Sequence, residues 1–127
     1  MKPKTQDRSQ RQLRVAEQIK QILIETLHRG HLHKEDFGGT DSALITISDV
    51  HVSPDLKNAT AHASALNKAE MSPILEGLNQ SSSYFQKELG RKLEIKFTPR
   101  IRFVSEEGFD KADRLEAIFR KIEDEKR

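Results

Sequence analysis

SPILEGLNQSSSYFQKELGRKLEIKFTPRIRFV, residues 72–104, is the stretch whose reading decides the fold. Pro73 suits a first helical turn, where its missing N–H has no helical partner to lose. Ile74, Leu75 and Leu78 follow at helical spacing. Residues 79–83 (Asn-Gln-Ser-Ser-Ser) interrupt the apolar pattern with short polar side chains, which compete for backbone hydrogen bonds and favour caps and turns. A second helix is expected from about Ser82, with Phe85 and Leu89 four apart on one face and Gly90 where a C-terminal cap is wanted. Leu93, Ile95 and Phe97 then alternate with Lys92, Glu94 and Lys96, the pattern of a half-buried strand. Pro99 and Arg100 break it, and Ile101 and Phe103 resume it.

Basic residues collect on this unit. Lys87, Arg91, Lys92, Lys96, Arg100 and Arg102 stand against Glu88 and Glu94 alone. A broken helix pair beside a basic strand end suits a phosphate backbone, because a helix start offers backbone N–H groups and the cations supply charge. The plainer reading is a helical hairpin on a sheet with solvated Lys and Arg.

Working outward, residues 8–29 read as one long helix, with Val15, Ile19, Ile22, Leu23 and Leu27 as its apolar stripe and Gly30 as its stop. Arg8, Arg11 and Arg14 recur every three residues at its start. They oppose the helix dipole there, which hints at an external anion. His28, His31 and His33, with Glu35 and Asp36, straddle a glycine in an expected polar loop. That is a poor frame for a metal, and no metal site is assigned. Phe37-Gly38-Gly39-Thr40-Asp41-Ser42 reads as loop. Residues 43–52 read as a strand, Ser53-Pro54-Asp55 as a turn and residues 58–66 as the return strand. The alanines at 59, 61, 63 and 65 make one face of that strand small, so a helix can sit close to it. Beyond the decisive stretch, Asp110 and Asp113 open a last helix carried by Leu115, Ile118, Phe119 and Ile122.

The expected class is therefore α+β, a three-stranded sheet with its helices on one face. A parallel pairing of the second and third strands would make their two-helix crossover right-handed. The organisation expected is a loose tail over residues 1–7, a domain over residues 8–104, and a C-terminal helix with a frayed charged end over residues 105–127.

Composition narrows the function. The chain of 127 residues is 35% hydrophobic and 33% charged, enough for one modest core. Its net charge is only +2, but residues 1–34 carry 8 Lys/Arg against 3 acids, while residues 105–127 carry 6 against 8. That asymmetry suggests a polyanion-facing side and a solvating side. Without cysteine there is no disulfide, thiolate nucleophile or Cys-based zinc site, and a reducing compartment fits. No leader-like or membrane-spanning run is present in the sequence, so a cytoplasmic protein is expected. Asp49 and His51 lie two apart on a strand and His62 stands across the hairpin. No nucleophile motif, Gly-rich phosphate loop or carboxylate cluster joins them, so no catalytic residue is assigned.

Three local signatures resemble the ribosome-binding factor A family. They are Arg14-Val15-Ala16-Glu17-Gln18-Ile19; the strand and turn Ile47-Ser48-Asp49-Val50-His51-Val52-Ser53-Pro54-Asp55-Leu56-Lys57-Asn58-Ala59; and Glu88-Leu89-Gly90-Arg91-Lys92-Leu93 leading to Phe97-Thr98-Pro99-Arg100-Ile101-Arg102-Phe103. The resemblance covers roughly residues 8–122. It implies a KH-like domain of type II (αββααβ), in which a kinked helix–helix junction replaces the usual Gly-x-x-Gly loop. The spacing of Gly77 and Gly90 agrees, being too wide for that loop. It also implies a bacterial or organellar factor that binds the immature small (30S) ribosomal subunit and assists late folding and 5′-end processing of 16S rRNA. Such a factor supports growth in the cold and is not itself the nuclease. This chain differs in its Ala-rich second strand and in a Ser run where the family has an Ala-containing junction.

The residues expected to meet RNA are Arg8, Arg11 and Arg14 on the first helix, Asn79, Gln80, Ser81 and Ser82 at the kink, Lys87, Arg91 and Lys92 beyond it, and Lys57 at the hairpin turn. Tyr84, beside Phe85, is expected to be partly buried, so stacking on bases is not expected and recognition would rest on shape and backbone. No cofactor, no small-molecule substrate and a monomeric state are expected. The competing readings are a protein–protein interaction module and a general RNA-binding KH-like protein, the former marked by weak salt dependence.

Overall fold

A computed structural model describes residues 9–29 and 32–105 of the chain. Helix α1 (Gln10–His28) is opened by a reciprocal cap: the Ser9 hydroxyl accepts the Gln12 N–H, and the Gln12 side chain accepts the Ser9 N–H. The Gln12 amide also donates to Val52 O at 3.0 Å, which ties the helix start to the end of strand β1 (Ile45–Val52). Strand β2 (Asn58–Ala65) returns antiparallel to β1. Helices α2 (Met71–Gln80) and α3 (Ser82–Lys92) follow, separated by Ser81 alone, and strand β3 (Arg100–Ser105) closes the sheet in the order β1-β2-β3. The β2–β3 pair is parallel. This is the α+β, KH-like order αββααβ that the sequence suggested.

One face of the sheet is buried. Ile45, Ile47, Val50 and Val52 of β1, Ala59, Ala61 and Ala63 of β2, and Ile101 and Phe103 of β3 point into a single core with the helices. Helix α1 packs on β1, and α2 and α3 pack on β3. The small Ala59, Ala61 and Ala63 of the central strand, all buried, leave room for these bulkier elements to close over it. The expected loop at Phe37 proves to be a short 3-10 turn (Lys34–Phe37) that buries the ring completely, and α2 packs against it.

Two boundaries depart from expectation. Gly90 does not cap α3: the helix runs through it to Lys92, because Leu93 extends the buried Phe85–Leu89 stripe by another four residues. Residues 93–97 are not a strand. The parallel register places Asn58 opposite Arg100, so residues 93–99 lie beyond the end of β2 and have no partner to pair with. Pro99 brings no backbone donor there either. Leu93 remains buried under α3, whereas Phe97 is 70% exposed. The tail, the C-terminal helix and Arg8 fall outside the described residues.

Candidate nucleic-acid interface

The hairpin turn after β1 is built by side chains. Ser53 Oγ accepts the Asn58 N–H and donates to Asp55, whose carboxylate also accepts the Lys57 N–H. The Ser53 hydroxyl first, and then the Lys57 N–H, hold the Asp55 carboxyl below its ordinary pKa. This contribution to the turn is complete above the ordinary carboxylate pKa and is lost as pH falls through the lowered value. Leu56 adopts φ 61°, and Lys57 O then accepts the Arg100 N–H at 2.8 Å. The turn thereby places Lys57 beside the start of β3.

A groove of about 720 Å³ lies between that turn, α3 and the unpaired segment before β3. Lys57, Arg100, Phe97, Ser82 and Gln86 border it, and no acid among the described residues does. A smaller recess of about 130 Å³ adjoins it, bordered by Arg11, Lys57, Lys96 and Phe97. Its one acid among the described residues, Asp55, is already engaged in the turn. Four cations thus line two contiguous depressions, with Ser82 and Ser83 of the first turn of α3 beside them.

An amide seam runs along β3, and its Gln86–Ile101 end borders the groove. Among the described residues β3 pairs with β2 alone, and side chains from the helices bond its outer edge at Pro99, Ile101 and Phe103. Gln86 donates to Pro99 O and accepts the Ile101 N–H at 3.2 Å; Asn79 accepts the Phe103 N–H at 2.9 Å and donates to Phe103 O at 3.0 Å. These two amides stand in for a fourth strand and close an edge that would otherwise be open to pairing. Asn79→Ala should cost about 1–2 kcal/mol, since it strands one donor and one acceptor on β3. Denaturant unfolding checks this, and an unchanged midpoint would mean water replaces the amide at no cost.

The other expected contacts divide. Arg11, Lys57 and Ser82 meet at the groove and recess. Arg14 and Lys92 border a separate shallow depression along α1. There Lys92 Nζ pairs with Glu25 at 3.3 Å, while Arg91 and Arg29 both approach the buried Glu88, at 3.3 and 3.5 Å. Lys87 is exposed on α3 and borders neither the groove nor the recess. Gln80 bonds Glu76 at 3.3 Å on its own helix, and Ser81 supplies the kink with φ −91° and ψ 13°. Sequence reasoning left Lys96, Phe97 and Arg100 out of the candidate set. Their charge run was visible, but their convergence on Lys57 depends on the register of β3.

On the other sheet face Asp49 and His51 approach to 3.1 Å, and the His51 and His62 rings stand edge to face at 5.1 Å. No group of three or more metal-binding side chains occurs among the described residues. No helix among them is long and apolar enough to cross a membrane.

Comparison with known proteins adds lineage to this geometry. The family model described as Ribosome-binding factor A matches residues 11–119. The protein of that name from Bradyrhizobium diazoefficiens is 36% identical over 112 residues, spanning 88% of this chain and 76% of the relative. The crystal structure of ribosome-binding factor A from Thermus thermophilus superposes with a TM-score of 0.62 at 20% identity, covering 74% of this chain and 93% of that one. A homology model of the Thermus thermophilus factor, fitted into the cryo-EM map of its complex with the 30S subunit, superposes at 0.53 and 15% identity. It covers 77% of this chain and 93% of that one.

Proposed function

This chain belongs to the ribosome-binding factor A family, and from that premise we propose that it binds the immature small (30S) ribosomal subunit through its 16S rRNA. The observation that carries the proposal is the groove in which Lys57 and Arg100 converge with no bordering acid among the described residues, continued by Arg11 and Lys96 in the recess. Phosphate contacts of this kind position a protein on RNA and supply salt-dependent affinity. The relative fitted into a 30S complex supports the choice of subunit. Ser82 lies at the groove, and Arg14, Lys87, Arg91 and Lys92 offer a second basic tract along α1 and α3. Gln80 and Ser81 flank the kink, and Arg8 precedes Arg11 by three residues.

Bound there, the factor works by holding late rRNA structure while the subunit matures, including the 5′ end of 16S rRNA, as cold-adapted growth requires. No bond is made or broken by its own side chains. It acts in the cytoplasm, as a monomer and without a cofactor.

Co-sedimentation with purified small and large subunits across a salt series tests the proposal. Selective retention on the small subunit, falling steeply with salt, is the expected result. Equal retention on both subunits would reduce the groove to a nonspecific polyanion site. Binding insensitive to salt would favour a protein–protein module.

A further inference from the structure

Phe97 is out of place for a residue on an alternating apolar pattern. It is 70% exposed, and it borders both the groove and the recess. The Lys96 ammonium lies 5.5 Å from its ring centroid and borders the recess rather than the groove. Phe97 itself, unlike Lys96, also borders the groove. Lys57 and Arg100 flank that same groove, and the amide seam of Gln86 with Pro99 and Ile101 borders it.

We infer that the groove seats an unpaired nucleotide, with its base stacked on Phe97 and its flanking phosphates on Lys57 and Arg100. This deepens the rRNA reading and rests on it. Three physical points support it. An aromatic platform beside a cationic track is the combination that binds single strands, because every base offers a π-face and every nucleotide a phosphate. A base stacked within a duplex has no free face for the ring, so the site selects unpaired RNA. Phe97 has no polar atom, so it reads the presence of a free base and not its identity. The groove volume of about 720 Å³ also falls in the ~300–1,000 Å³ range of clefts that enclose small ligands.

The chain contains no tryptophan, so Phe97→Trp creates a single fluorescent reporter at the platform. Titration of the full chain with a short single-stranded RNA should quench that reporter, and a duplex of equal length should leave it bright. Phe97→Ala and Phe97→Leu should each weaken single-strand binding roughly 10-fold, with the salt slope unchanged, because stacking involves no counterion release. The exposure of Phe97 means that none of these variants disturbs the core. An unquenched reporter, or an alanine variant binding as the parent does, overturns the stacking. If Lys57→Ala still weakens subunit binding in that case, the rRNA reading stands without it. Subunit binding that needs Phe97 while the single strand does not bind would place a ribosomal protein against the ring and would equally overturn the inference. Loss of selective small-subunit binding by the parent chain would instead be the failure of the underlying function.

Discussion

Gly77→Ala should lower the melting temperature by about 8 °C. An added Cβ on this residue would lie 2.0 Å from Asp36 O and 2.7 Å from a ring carbon of Phe37. Both belong to the short turn that α2 packs against, and Phe37 is fully buried there. Overpacking costs ~1–3 kcal/mol when neighbours yield, and here the nearest neighbour is main chain, which places the cost near 3 kcal/mol. Alanine returns ~1 kcal/mol through helix propensity, leaving ~2 kcal/mol net, at about 4 °C each for a domain of this size. Gly90→Ala is the internal control. Its Cβ would meet only the Thr98 hydroxyl, at 3.2 Å, and a hydroxyl can turn away. Its melting point should hold or rise. Equal behaviour of the two variants in thermal unfolding would mean that the Asp36 main chain moves aside freely.

The triple variant Arg11→Ala, Lys57→Ala, Arg100→Ala should bind the small subunit roughly 100-fold more weakly at physiological salt. Each cation is assigned ~1 kcal/mol of phosphate contact, below the ~1.5–3 kcal/mol of a well-formed charged hydrogen bond. The log–log salt slope should become shallower by about 2–3, close to one per lost contact. All three side chains are exposed. The Arg100 N–H to Lys57 O bond is main chain and survives the substitutions, so the fold should not change. Arg91→Ala with Lys92→Ala makes the comparison. Lys92 is already paired with the exposed Glu25, a surface pair worth about 0–1 kcal/mol, and Arg91 with the buried Glu88, which Arg29 also approaches. Their loss should weaken binding less than tenfold. A double variant as damaging as the triple one would move the interface from the groove to the α1–α3 seam.

The residues that sequence reasoning handled well are those whose role is local. The α1 stripe of Val15, Ile19, Leu23 and Leu27 is buried as its spacing requires, since helical periodicity alone selects the core-facing side. The Ser53-Pro54-Asp55 turn forms from its own hydroxyl and carboxylate. The alternating alanines of β2 face inward together. The kink position was legible as well, although it narrows to Ser81, because Asn79 and Gln80 still complete the last turn of α2.

What the sequence by itself determined is thus the order of elements, the break between α2 and α3, and the excess of cations around it, all properties of spacing and composition along a short stretch of chain. Only the tertiary structure decided which cations share a site. The β2–β3 register ends pairing at Arg100, and this leaves residues 93–99 without a partner strand. Phe97 is thereby exposed, and Arg100 meets Lys57 across 43 residues of chain. It also gave Asn79 a clamping role on Phe103, and made Gly77 the point where α2 touches the turn at Phe37. The alternation at residues 93–97 is that of a strand. A strand, however, needs a neighbour to take its hydrogen bonds, and whether one is there is settled only when distant segments pack.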